Sequence, residues 1–127
     1  MKRIKYFAGA ISLTGLLIAL APNAMADVAA GKAVYDGVGA CGSCHGPTGK
    51  GDTPAAAAFD PKPRSFSEGS FKYDTDGDGK AGTDTDLFNI IKNGSAQYGG
   101  APTMPGRADI PDADIKALVA YIRALKG

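Results

Sequence analysis

The sequence predicts a small all-α domain of three or more helices. Three stretches carry apolar residues at helical spacing, no apolar–polar alternation of strand length is present, and a long Gly- and Pro-rich tract separates the first helical stretch from the second. The elements are taken in chain order.

The chain of 127 residues opens on a segment with the form of an export signal. Met1-Lys2-Arg3-Ile4-Lys5 is a positive n-region, Tyr6 to Ala21 is largely apolar, and Ala24-Met25-Ala26 supplies the small-x-small pattern of a cleavage site. As a membrane anchor the same run is diluted by Gly9, Ser12, Thr14 and Gly15, and it falls short of the roughly 20 strongly apolar residues that span a bilayer. Residues 1–26 are therefore expected to be removed, leaving residues 27–127 as one domain in the periplasm with no membrane span. Loss of Lys2, Arg3 and Lys5 turns 14 basic against 13 acidic groups into 11 against 13, a balance that argues against nucleic acid as a partner.

A domain this small buries a modest fraction of its surface and benefits from a staple. A disulfide between Cys41 and Cys44 would close almost no loop, so the staple must be something else.

The first mature helix is expected over Val28–Tyr35, with Val28, Gly31 and Tyr35 on one side and Gly37 and Gly39 ending it. Residues 42–82 are rich in Gly, Pro, Asp and Ser and are expected to be mostly turns; so long an irregular segment in a compact domain implies that it wraps something functional. Thr83-Asp84-Thr85-Asp86 offers capping side chains and first-turn negative charge to a helix whose apolar face is Leu87, Ile90 and Ile91 and whose stop is Asn93-Gly94. Gly99 to Gly106 is a loop holding two prolines and Met104. The last helix starts near Pro111, carries Asp112 and Asp114 in its first turn, and lines up Ile115, Leu118, Val119 and Ile122.

Cys41-Gly42-Ser43-Cys44-His45 decides the chemistry, because C-x-x-C-H is the attachment site of a c-type haem. Two thiols three residues apart reach the two vinyl groups of one porphyrin while the adjacent imidazole is carried beneath the iron. A thioredoxin-like redox pair would want a βαβ surrounding, and a structural zinc site four ligands; neither is present in the sequence. His45, the single histidine, is the expected iron ligand, and its other ring nitrogen is expected to donate to a backbone carbonyl, with Pro54 the candidate. Met104 is the expected second ligand, since Met1 and Met25 leave with the signal. The alternative, a methionine filling a gap in the core, suits a residue boxed between Pro102 and Pro105 poorly.

With these residues in place the chain resembles a class I, or mitochondrial-type, cytochrome c of the bacterial periplasmic kind, over essentially all of residues 27–127. The resemblance implies that the N- and C-terminal helices cross, with Gly31 and Tyr35 on one meeting Leu118 and Tyr121 on the other. It also implies one covalent haem, His45/Met104 ligation, and transient protein donors and acceptors of single electrons. Pro63-Arg64-Ser65-Phe66 and Gly69-Ser70-Phe71-Lys72 are similar to a recurring stretch of this family in which the arginine faces a haem propionate; a solvated surface Arg is the competing reading. The resemblance implies a carrier rather than an enzyme. Its rivals are a haem subunit docked to a larger oxidoreductase and, with no second histidine to serve a distal pocket, a haem enzyme or gas sensor with a labile sixth ligand.

One segment departs from the family pattern. Asp74, Asp76, Asp78 and Gly79 match the opening of an EF-hand calcium loop, but position 12 is Thr85 rather than Glu, and no helix is expected before Asp74. Calcium binding and a solvated Asp-Gly turn both remain open on the sequence.

Overall fold

The computed structural model describes residues 24–127. Most of the expected export signal lies outside the described residues.

Four α-helices form among the described residues: α1 (Ala24–Asp36), α2 (Gly42–His45), α3 (Asp84–Asn93) and α4 (Asp112–Ala124). Two single 3-10 turns, Ala56–Ala58 and Ala96–Tyr98, punctuate the loops. The architecture is all-α as expected, and α1 starts upstream of the expected Val28. The one short helix that periodicity could not reveal, α2, is the turn that carries the cysteine motif.

α1 and α4 cross where Gly31 removes a side chain. A Cβ built there would stand 2.0 Å from the Ala117 carbonyl oxygen, so only glycine permits this approach. The close crossing brings the rings of Tyr35 and Tyr121 edge to face at 5.2 Å and buries Tyr35 and Leu118 completely. The Tyr35 hydroxyl, taken out of water, donates to the Gly46 carbonyl at 2.6 Å and so ties α1 to the end of α2.

α3 is set by its N-terminus. The Thr83 hydroxyl accepts from the Asp86 N–H while the Asp86 carboxylate accepts from the Thr83 N–H, a reciprocal capping box. Its apolar face, Leu87 and Ile91, joins Ile110, Ile115, Leu118, Val119 and Ile122 in one core. Lys92 pairs with Asp112 between α3 and α4. No described helix is long and apolar enough to cross a membrane.

Candidate haem site

The core has one open side, where the walls enclose a cavity of about 770 Å³, within the usual size of a pocket for a small organic ligand. Cys41, Cys44 and His45 enter from α2 and its approach, Phe66 and Phe71 from the long loop, Leu87, Ile90 and Ile91 from α3, Leu118 and Ile122 from α4, and Met104 from the loop between α3 and α4. The sequence-predicted site residues, spread over 64 positions of chain, therefore line one cavity.

Each is held by its local fold. α2 is one turn of helix, with His45 N–H bonded to the Cys41 carbonyl at 2.9 Å, which puts both thiols and the imidazole on a single short element. Burial pushes the Cys41 thiol up from its ordinary pKa, and the nearby Arg107 guanidinium pulls it part of the way back. His45 is 8% exposed, and burial pulls its imidazole down towards the neutral form, against a smaller opposing effect of its hydrogen bond.

That hydrogen bond corrects one expectation. His45 Nδ1 donates to the Arg64 carbonyl at 3.0 Å, not to Pro54. The reason lies in the fold-back after α2. Gly51, with φ of +66°, turns the chain so tightly that a Cβ there would meet the Pro63 carbonyl oxygen at 2.4 Å, and Phe66 N–H then bonds the Gly49 carbonyl at 2.7 Å. Residues 63–66 are thereby laid against the imidazole, whereas Pro54 is exposed and leads away into the first 3-10 turn. Phe66 also stacks on the His45 ring, with centroids 4.5 Å apart and planes 21° apart. The imidazole is thus fixed at one nitrogen and across one face, which leaves Nε2 as the ring nitrogen able to accept a metal.

Met104 lies half-buried between exposed Pro102 and Pro105. Its N–H bonds the Ala101 carbonyl at 3.1 Å and its carbonyl accepts from Ser95 N–H at 3.3 Å. Arg64 also lines the cavity, and its Nε and Nη2 donate to the Ser70 carbonyl at 2.8 and 2.6 Å.

The donor set, an unprotonated imidazole nitrogen, a thioether and two thiols at the mouth of an apolar cavity, fits a covalently held haem. The cytochrome c family model matches residues 28–126. The chain belongs to the cytochrome c family. This family carries covalent haem c, and Cys41 and Cys44 stand in its attachment position. Among solved structures, the chain is similar to a protein of the Kuenenia stuttgartiensis reducing HAO-like protein complex, at 28% identity and a TM-score of 0.65. That match covers 96% of this chain and 53% of the other, so this chain spans about half the length of that relative. No curated protein matches the chain.

Two features have other standing. Asp74, Asp76 and Asp78 do converge, with carboxylate oxygens within 4.8 Å of one another, but all three are exposed and Asp74 already accepts from Gly77 and Gly79 N–H. They form turns of the Asx kind. Asp86, read from the sequence only as first-turn charge, is 1% exposed. Burial alone would raise its carboxyl pKa, yet hydrogen bonds from the N–H and hydroxyl groups of Thr75 and Thr83 outweigh that and hold it well below the usual carboxylate range. The Thr-x-x-Asp spacing was the signal for it.

Proposed function

We propose that this family member is a periplasmic electron carrier, exported by residues 1–26, in which His45 Nε2 and the Met104 thioether would both hold the iron of one haem. The single observation that carries the reading is that the only histidine and one of two described methionines line the cavity that receives the cysteine pair, whereas the other methionine, Met25, is 77% exposed. Bound haem supplies reversible one-electron chemistry. With His45 and Met104 both holding the iron, a substrate would find no ligand site there, and the chain's work would be to hold and exchange an electron rather than to transform a molecule. The apolar walls from α3 and α4 disfavour added charge, and a thioether donor favours the ferrous state; both raise the reduction potential. Exchange would take place at the surface near Cys41 and Cys44, against transiently docked protein donors and acceptors.

The oxidised holoprotein is expected to show a near-infrared sulfur-to-iron charge-transfer band that disappears in Met104→Ala. Rapid carbon monoxide binding to the untouched reduced protein would sink the carrier reading. A second reading, a haem subunit docked to a larger oxidoreductase, is favoured by the neighbour's membership of a protein complex. Stoichiometric co-purification with a large partner selects it. Mature protein beginning at Asp27 in the periplasmic fraction tests the export reading.

A further inference from the structure

We propose that Arg107 is the latch that holds the Met104 loop against the far wall of the cavity, and that Asp109 holds the latch. It rests on the Met104 ligation proposed above and adds what keeps that ligand in place.

The loop is fastened by backbone and short side-chain bonds on one side only. Ser95 N–H bonds the Met104 carbonyl, the Ser95 hydroxyl donates to the Ala101 carbonyl at 2.8 Å, and Arg107 N–H bonds the Ile91 carbonyl at 2.8 Å. All of these lead back to α3 or to the loop itself. The opposite wall is the Val38-Gly39-Ala40 turn that presents Cys41, a tight turn in which Ala40 carries a φ of +50°. Arg107 reaches it across 68 and 69 residues of sequence: Nη1 donates to the Gly39 carbonyl and Nη2 to the Val38 carbonyl, each at 2.6 Å. The same guanidinium is gripped from behind by Asp109, Nε to Oδ1 at 3.0 Å and Nη2 to Oδ2 at 2.9 Å. Four of the five N–H donors are thereby used, in a planar fork that a lysine cannot reproduce. Since Arg107 is three residues from Met104, the fork sets the distance between the methionine loop and the turn that leads into α2, the helix that carries His45. Arg107 is a positioning residue: it acts through Met104.

The test is the ferric holoprotein titrated with free imidazole, which binds only when the thioether lets go, alongside the near-infrared band. Arg107→Gln should bind imidazole roughly tenfold or more tightly than the untouched protein, since the loss of charge-assisted hydrogen bonds weakens the closed loop. Its band should be weakened. Arg107→Lys and Asp109→Asn should fall between, and they carry the test if Arg107→Gln does not fold. Arg123→Gln, which releases the Gly82 carbonyl but not the methionine loop, should leave imidazole affinity unchanged. Imidazole affinity unchanged in the folded Arg107 variants, or raised equally by Arg123→Gln, overturns the latch while leaving Met104 ligation standing. No band in the untouched protein refutes the ligation first and the latch with it.

Discussion

Replacing Asp86 by Asn should destabilise this domain strongly. The carboxylate accepts four hydrogen bonds: Thr75 N–H at 2.6 Å and its hydroxyl at 2.7 Å on Oδ1, Thr83 N–H at 2.8 Å and its hydroxyl at 2.9 Å on Oδ2. An amide retains one oxygen and turns an NH2 towards two of these donors. A threonine hydroxyl can rotate and accept, but a backbone N–H cannot, so either Thr75 or Thr83 is left with a part-buried, unpaired donor. One such orphan costs about 1–3 kcal/mol, and the surviving bonds lose charge assistance, so the total is roughly 3 kcal/mol. For a domain of this size that lowers the melting midpoint by about 10–20 °C. The pH dependence has a definite sign. The folded pKa lies below the unfolded value of about 3.9, so the stabilisation is full above about pH 5 and is lost as pH falls from there towards the lowered folded value. Denaturant unfolding of the holoprotein and the variant, followed by circular dichroism from pH 3 to pH 7, should show a gap that is widest at neutral pH and narrows on acidification. A gap that stays constant over that range, or one below about 0.5 kcal/mol at pH 7, refutes the reasoning.

Gly31→Ala places a methyl 2.0 Å from the Ala117 carbonyl oxygen and must part α1 from α4; overpacking of this kind costs about 1–3 kcal/mol, and a melting midpoint within about 2 °C of the parent would contradict the crossing geometry. Cys41→Ser combined with Cys44→Ser, which prevents haem attachment, should abolish cooperative folding. Without the covalently held ring the apolar walls from α3 and α4 face water through the open side of the cavity and lose that burial; native-like helical content with an unchanged, sharp thermal transition in that variant refutes the requirement.

The legible parts of this chain were those written locally. The helix stop at Asn93-Gly94, the first turn after Pro111 and the cysteine motif each announce themselves within a few residues, and the structure has them there. The α1–α4 crossing followed from the family resemblance through Gly31, Tyr35, Leu118 and Tyr121, and these four do meet. What failed was reach. The partner of His45 Nδ1 depends on how residues 51–66 fold back, and nothing near Pro54 or Arg64 encodes that in a local pattern. Arg107 carries no local signal for the same reason, since the carbonyls it bonds lie 68 and 69 residues away in the chain.

The arginines suggest how long irregular backbone stays ordered without strands. Buried or half-buried carbonyls in irregular backbone must find donors, because no neighbouring ladder supplies them. After residue 26 the chain has three arginines, and each donates to a backbone carbonyl of a loop: Arg64 to Ser70, Arg107 to Val38 and Gly39, Arg123 to Gly82. Two of them are braced in turn, Arg107 by Asp109 and Arg123 by Asp84 and the ring of Phe71. The lysines that form ion pairs, Lys32 and Lys92, pair with carboxylates instead. A guanidinium can satisfy two acceptors in one plane and still keep its charge partly solvated, whereas an ammonium is a compact, strongly hydrated point charge. Arginine at these three positions is therefore structural fastening of the haem-wrapping loops, and an Arg→Lys exchange at any of them is a loss of geometry at constant charge.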